Sequence, residues 1–221
     1  MQILTIVPLF YRSLTLGYKV HQTSLITRML ASPDFKMSTS AQTRKDQADQ
    51  NERTRKIMQA GVDAYASGMP RTNFDNAHAK TVSVLSCTMD NPGGSNLPGA
   101  TFGFTVPDGY ANSPAGTTHG AAITLFFDGC TTVAMLASTR YWGSTGVSRT
   151  MNVSFVRSPK TGDKVILEAE VVQMGQIVCT LRGVLRRADG DKEVLALCTH
   201  EKVRVGEAKR TGVQGRTSRL T

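Results

Sequence analysis

The stretch THGAAITLFFDG, residues 118–129, decides the fold, because it opens a long apolar segment that contains a single acid, Asp128. The apolar residues on both sides of this acid predict a helix that is capped by Thr117 or Thr118 and runs to about Thr139. A helix this apolar must be buried over most of its surface. A carboxylate in such surroundings is costly unless it is paired, so Asp128 is a candidate for a chemical role.

Short strands surround this helix in the sequence, and their order predicts the architecture. Two strands precede it, within residues 81–90 and 100–108, and an amphipathic helix from about Asp49 to Ser67 precedes both. Four strands follow in quick succession: GVSRTMNVSFV, KVILEAEVVQM, IVCTLRGVLRR and EVLALCTHEKV. Glycine-containing connections predict that the last three form an antiparallel meander. The predicted class is α+β, with an antiparallel sheet wrapped around one long central helix and an additional N-terminal helix.

The charge of the chain is concentrated at its ends. The 221 residues carry a formal net charge of +9, of which residues 1–36 contribute +3 and residues 202–221 contribute +5. The remainder is nearly neutral, so we predict no nucleic acid partner. The basic tail is interpreted as an extension that increases solubility or that binds anionic surfaces weakly. No run of 18 apolar residues occurs, so no membrane span is predicted.

Three regions are predicted along the chain: a leader (residues 1–47) that is either a targeting segment or disordered, a folded domain (48–203) and a basic C-terminal tail (204–221). Residues 1–33 contain no acid, which is typical of a mitochondrial presequence, and an equal alternative is that Met37 is the true start. The predicted location is intracellular, either mitochondrial or cytoplasmic. The four cysteines are widely spaced, which favours buried thiols over a zinc site or a disulfide framework.

The order of elements, with His-Gly at the start of the helix and an acid eight residues later, resembles the hotdog-fold thioesterases. Within that family, the PaaI-like branch and the related eukaryotic acyl-CoA thioesterases are most similar. The resemblance covers about residues 80–203 and rests on three segments: THGAAITLFFDGCTTVAM, GVSRTMNVSFVRSPKTGD and GQIVCTLRGVLRR. It implies hydrolysis of an acyl-CoA without a metal or organic cofactor, in a homodimer or a dimer of dimers. An acyl-carrier-protein substrate and a non-catalytic acyl-CoA-binding domain are the alternatives.

The resemblance also implies roles for individual residues. A loop residue, Asn112, and the first glycine of the helix, Gly120, would hold the thioester carbonyl. Asp128 would act as base or nucleophile. Ser148 on the next strand would help to place water, with an ordinary serine at a strand edge as an equal alternative. Thioester hydrolysis needs both functions, because negative charge develops on the carbonyl oxygen and water must be activated. The N–H groups and the positive dipole end of a first helical turn suit that oxygen, and glycine allows close approach.

Two features of the chain depart from the family pattern. The family usually has a second glycine where this chain has Ala121. Its asparagine normally lies six residues before the histidine, whereas Asn112 lies seven residues before His119. Ser113 occupies the expected position, so we interpret the segment NSPAG as holding a one-residue insertion.

The spacing of Gly120 and Asp128 predicts how the chain assembles. Eight residues of helix rise ~12 Å, so one thioester carbon cannot contact both residues of the same helix. Either one of them is irrelevant, or the site lies between two subunits, as hotdog dimers are described. We expect the second arrangement, with Asp128 at the active site of the neighbouring chain. The structural alternatives are that Gly120 permits tight packing of the helix and that Asp128 faces solvent.

The remaining candidates are residues that would contact substrate. His119 is interpreted as a first-turn residue that orients the loop and, together with Ala121, lies close to the substrate. Arg157 and Lys160 lie at a turn after a strand and are candidates for the phosphates of coenzyme A, although a solvated turn is an equal interpretation.

Cys198 and His200 share one face of the last strand, a pattern that also suits a Cys–His nucleophile. No third residue that would orient the histidine is evident in the sequence, so both are predicted to be core residues. No histidine pairs with a helical acid in the usual pattern of the hotdog dehydratases, which disfavours that activity.

Overall fold

The computed structural model describes residues 40–70, 72–91, 96–112 and 114–205. The predicted leader before residue 40, the predicted tail after residue 205 and Ser113 lie outside these ranges. The division into a leader, a domain and a tail therefore stays a prediction.

A six-stranded antiparallel sheet forms the main layer of the fold. Its strands run in the order β1-β2-β4-β5-β6-β3, and each strand is antiparallel to its neighbours. The predicted meander of the last three strands is confirmed, and β1 and β3 form the two edges. The strands are β1 (Ser83–Thr88), β2 (Gly99–Thr105), β3 (Val147–Phe155), β4 (Lys164–Met174), β5 (Val178–Arg187) and β6 (Val194–Val203).

The predicted central helix and the additional N-terminal helix are also confirmed. Within the described ranges, the helices are α1 (Ser40–Gly68), α2 (Asn76–Ala79) and α3 (Gly120–Ala134), with 3-10 turns at Asp108–Tyr110 and Met135–Ala137. The short helix α2 was not predicted, because four residues are too few to show a helical period.

Helix α3 lies against one face of the sheet, and this position explains its composition. Phe126 and Phe127 are fully buried between the helix and the strands. A Cβ atom on Gly183 of β5 would lie 2.6 Å from the ring of Phe127, so only glycine lets the helix pack this close. By length and composition alone, Gly120–Ala137 would also suit a membrane span, with a mean hydropathy of 1.5. Its burial in the core accounts for that apolar character.

The start of α3 differs from the prediction. The N-cap is His119, whose Nδ1 accepts a hydrogen bond from the N–H of Ala121 at 3.0 Å. Thr117 and Thr118 are not the caps, because each forms an extended bridge, with Lys160 and Ala111 respectively. The α-helix also ends earlier than predicted, since its last turn tightens into a 3-10 turn.

The N-terminal helix α1 starts at Ser40, earlier than the predicted Asp49, and covers the edge strand β1. Its early part is polar, so apolar periodicity did not reveal it. The N–H of Val84 donates to Oε1 of Gln59 at 2.6 Å, and the carbonyl of Val84 accepts from Arg55 at 3.0 Å. Side chains of the helix thus satisfy backbone groups that an exposed edge would leave open.

Candidate active site

Asp128 and Ser148 meet at the surface of the molecule. The hydroxyl of Ser148, near the start of β3, donates a hydrogen bond to Oδ1 of Asp128 at 2.9 Å. The Asp128 side chain is 43% exposed, because it lies on the outer side of α3 rather than among the apolar residues beside it in sequence. Solvent can therefore reach a carboxylate that is already oriented by a hydroxyl.

His200 forms a cluster with Asp128 and Ser148 and lies on their buried side. Its Nε2 lies 2.9 Å from Oγ of Ser148 and 3.6 Å from Oδ1 of Asp128, and its side chain is fully buried. Its Nδ1 lies 2.8 Å from Oγ1 of Thr131 on α3. The expectation that no third residue orients this histidine was wrong, because Thr131 and Ser148 both contact its ring. His200 also lies near the helical acid Asp128, a proximity that the sequence does not reveal.

The hydrogen bonds define the proton positions of His200. The hydroxyl of Thr131 donates to the carbonyl of Phe127 at 2.6 Å, so its oxygen accepts from Nδ1–H of the histidine. In the neutral ring, Nε2 then presents a lone pair to Ser148. Burial, together with the charge of Lys202, lowers the pKa of His200 to about 4, which makes the neutral ring the form present at pH 7.

Lys202 is the second residue that the sequence did not reveal as part of the site. It lies opposite Ser148 in the pairing of β3 with β6, and its side chain is almost fully buried. Its Nζ donates to Oγ1 of Thr132 at 2.9 Å and to Oγ of Ser148 at 3.3 Å. Burial lowers the pKa of this lysine, an effect that the nearby carboxylate of Asp128 opposes.

A Cys–His nucleophile is not supported by this arrangement. Burial, together with the charge of Asp128, raises the pKa of the Cys198 thiol to about 12. A thiol with that pKa is not ionised at neutral pH and is a poor nucleophile. His200 makes its polar contacts with Ser148 and Thr131 instead. Cys198 is therefore a core residue, as predicted. His200 is buried as well, but it also belongs to the polar cluster around Ser148.

The start of α3 carries a free hydrogen-bond donor. His119 accepts hydrogen bonds from three of the N–H groups that follow it, through its side chain for Ala121 and through its carbonyl for Ala122 and Ile123. Among the described residues, the N–H of Gly120 has no acceptor. This donor lies at the positive end of the helix, where an oxyanion is stabilised.

Packing alone does not account for glycine at position 120. A Cβ atom there would lie 3.4 Å from Cζ of Phe155, at the end of β3, which is an ordinary contact. The ring of Phe155 is otherwise open, with 55% of the residue exposed. The alternative that Gly120 serves only tight packing of the helix therefore loses support.

Two partial sites thus lie at opposite ends of the same pair of elements. Asp128 and Ser148 meet at one end, and Gly120 and Phe155 meet at the other. The helical rise separates Gly120 from Asp128 by ~12 Å. Both partial sites lie along β3, the edge strand whose outer side pairs with no strand among the described residues.

Residues 115–194 match the family model described as the thioesterase superfamily. Over these residues the chain is similar to the thioesterase superfamily. The match includes the start of α3, the acid, the serine and most of the meander, but stops before most of β6. His200 and Lys202 therefore lie beyond the matched segment.

Solved structures of thioesterases are similar to this chain. Zebrafish thioesterase superfamily member 2 is 24% identical, with a TM-score of 0.53 over 66% of this chain and 94% of its own, and it shares the hotdog fold. Mouse thioesterase superfamily member 2 is 17% identical, with a TM-score of 0.49 over 76% and 98% of the two chains. The E. coli PaaI protein is 17% identical, with a TM-score of 0.48 over 68% and 98%. No curated protein matches the sequence significantly.

The other residues implied by the family resemblance lie nearer to the start of α3. Asn112 is exposed in the loop before the helix, where its N–H donates to the carbonyl of Thr117 at 2.6 Å. Ala121 is exposed, but its N–H is already bound by His119. His119 therefore acts on the helix as its N-cap rather than as a first-turn residue, and its proximity to the substrate stays a prediction.

The two candidates for coenzyme A phosphates differ in their surroundings. Arg157 forms an ion pair with Glu193, which neutralises part of its charge. Lys160 is exposed, and its backbone bridges to Thr117, which places it beside the segment that enters α3. Lys160 is therefore the better placed cation for a ligand that approaches Gly120.

Proposed function

We propose that the chain is an acyl-CoA thioesterase that hydrolyses a thioester to a free acid and coenzyme A. The observation that carries the proposal is the solvent-open carboxylate of Asp128, held at 2.9 Å by the hydroxyl of Ser148. A base in this setting can take a proton from a water molecule that the serine helps to hold. The match of residues 115–194 to the thioesterase superfamily model supports the same reaction.

The chemistry requires one further group, which Gly120 supplies. Attack of water on the thioester carbon pushes negative charge onto the carbonyl oxygen, and the unused N–H of Gly120 can donate to that oxygen. The tetrahedral intermediate then expels the thiolate of coenzyme A, which takes up a proton. In the alternative route, Asp128 attacks the carbonyl itself and water hydrolyses the resulting anhydride.

The two groups are proposed to come from different subunits. The ~12 Å between Gly120 and Asp128 of one helix is too long for a single thioester carbon to contact both. If the free edges of two β3 strands lie antiparallel about a twofold axis, the start of one strand approaches the end of the other. Ser148 and Asp128 of one chain would then face Gly120 and Phe155 of its partner. Exposure of Phe155 and Val156 at this edge, at 55% and 56%, supports such contact.

The carrier is proposed to be coenzyme A, because the candidate cation Lys160 lies beside the entry to α3. A compact phosphate-binding cation suits the nucleotide end of that carrier. Asn112, on the adjoining loop, is the proposed second donor to the carbonyl.

Thiol release from a panel of acyl-CoAs of different length and aromatic character tests this function. The wild-type protein should release thiol from at least one member, and Asp128→Asn should lower kcat by at least ~100-fold, the scale for loss of a positioned base. Asp189→Asn, in an exposed turn, is the matched control and should keep its kcat. Near-normal turnover by folded Asp128→Asn would exclude Asp128 as the base. Turnover only with acyl-carrier-protein substrates would reassign the carrier, and saturable acyl-CoA binding without turnover would favour a non-catalytic domain.

A further inference from the structure

We propose that Lys202 is a positioning residue that acts on the reaction through Ser148, an inference that rests on the proposed function. The two residues face each other across β3 and β6, and Nζ of Lys202 lies 3.3 Å from Oγ of Ser148. Thr132 of α3 holds the same amine at 2.9 Å, so the lysine is fixed from the helix as well as from the sheet. No role of this kind is indicated by the sequence motifs of the domain.

The argument starts from what a serine hydroxyl can do. Its oxygen accepts two hydrogen bonds and donates one. Among the described residues, three side chains form hydrogen bonds with Ser148: the Asp128 carboxylate, the His200 ring and the Lys202 amine. The lysine is the one neighbour that always donates, in either protonation state. It therefore takes a lone pair of Ser148 and turns the single hydroxyl hydrogen away from itself.

That hydrogen is left to the two remaining neighbours, which are both acceptors. An ionised Asp128 accepts only, and the neutral ring of His200 presents the lone pair of Nε2. The hydroxyl can therefore donate its hydrogen bond to either Asp128 or His200 while its oxygen keeps its position. Without Lys202, the hydrogen can also point toward the space that the amine now fills, which would leave both acceptors without this donor and disturb the water that Ser148 and Asp128 are proposed to hold.

The charges around the cluster support this role. The groups that face His200 are Asp128 and Thr131 from α3, Ser148 from β3 and Lys202 from its own strand, and Cys179 of β5 lies near the lysine. Of these groups, Lys202 carries a positive charge and Asp128 a negative one, so their effects on the pKa of His200 oppose each other. The positive charge of Lys202 also lowers the pKa of His200, which keeps the ring neutral.

A purely structural role for Lys202 predicts a different outcome. Replacement of a buried charge by an apolar side chain of similar volume is often neutral or stabilising for a fold. Methionine has about the length of the lysine stem, so Lys202→Met separates the two roles. Lys202→Gln is the second variant, because it is shorter and neutral but keeps a hydrogen-bond donor. Lys164→Met, at an exposed position, is the control for loss of one positive charge.

The test is a double-mutant cycle with Ser148→Ala, measured as thiol release by the full chain. Lys202→Met should lower kcat by about 10-fold to 100-fold with little change in KM, since orientation rather than binding is lost. Lys202→Gln should retain more of kcat than Lys202→Met, and Lys164→Met should match wild type. In the Ser148→Ala background, Lys202→Met should lower kcat no further, because the hydroxyl that Lys202 orients is absent. Additive losses, or an unchanged kcat in folded Lys202→Met, would overturn the proposal.

A second readout does not depend on turnover. In an NMR titration, the ring of His200 should titrate at a pH near 4 in wild type, and its pKa should rise in Lys202→Met. An unchanged His200 titration would overturn the proposal even in a protein without thioesterase activity. Absence of thiol release by wild type would instead refute the proposed function, so the two failures are distinguishable.

Discussion

Acidification should destabilise the protein through a histidine outside the candidate site, His78. This residue of α2 is 4% exposed and packs against the rings of Phe104, edge-on, and Phe126, tilted, with centroids 4.6 and 4.5 Å away. Its Nδ1 has no hydrogen-bond partner within the described part of the chain. Burial without a counter-charge lowers the pKa of His78 to about 3, against 6.5 for the ordinary side chain.

The sign and size of the effect follow from this depressed pKa. Above pH 6.5 the ring is neutral in both the folded and the unfolded chain, so its contribution to stability is fully present. Below pH 6.5 the unfolded chain binds a proton that the folded chain excludes until the pH approaches 3, so stability falls as the pH falls. At about 1.4 kcal/mol per pH unit, the loss from His78 alone reaches roughly 2 kcal/mol at pH 5.

Urea unfolding of wild type and His78→Leu at pH 7 and pH 5 measures this contribution. His200 and the carboxylates remain in both proteins, so they cancel in the comparison. The free energy of unfolding of wild type should fall by about 2 kcal/mol more than that of the variant between the two pH values. Equal losses in both proteins would refute the account of His78 as a neutral buried ring.

Two further predictions concern packing and the chain ends. Gly183→Ala should lower the free energy of unfolding by about 1–3 kcal/mol, because its Cβ would meet Phe127 at 2.6 Å. Gly129→Ala, on α3 with nothing within 4 Å, is the matched control and should stabilise the protein by up to ~1 kcal/mol in the same chemical unfolding experiment. A chain restricted to residues 37–206 should keep wild-type kcat on short acyl-CoAs in the thiol-release assay. Loss of kcat in a soluble protein of that length would show that the ends complete the site.

Much of the fold could be predicted from the sequence, because its signals are periodic and local. The alternation in KVILEAEVVQM identified β4, whose residues Val165 and Leu167 are buried while Glu168 is exposed. The apolar run after His119 identified α3. The N-cap of that helix could not be predicted, because the two threonines before the histidine have stronger capping preferences. Only the bridges that these threonines form in the fold exclude them as N-caps.

The candidate site was predictable only in part. Gly120, Asp128 and Ser148 lie in the segments that resemble the family, whereas His200 and Lys202 do not. A signal for these two was present, because period-2 alternation places both on the core-facing side of β6, where ionisable residues are rare. Their hydrogen-bond partners lie 52 to 70 residues away in sequence and become neighbours only through the pairing of β3 with β6 and the packing of α3 on the sheet.

Complementation between two inactive variants tests the shared site most directly. Asp128→Ala removes the proposed base, and Gly120→Pro removes the proposed carbonyl donor. Proline is tolerated at this first helical position, and the extended backbone of His119 suits a residue before proline. Each variant alone should be inactive on the best acyl-CoA of the panel. An equal mixture, unfolded and refolded together, should recover about a quarter of wild-type activity, because half of the dimers are mixed and each mixed dimer has one intact site. No recovery, with mixed dimers shown to be present, would contradict a site built from Gly120 of one chain and Asp128 of its partner.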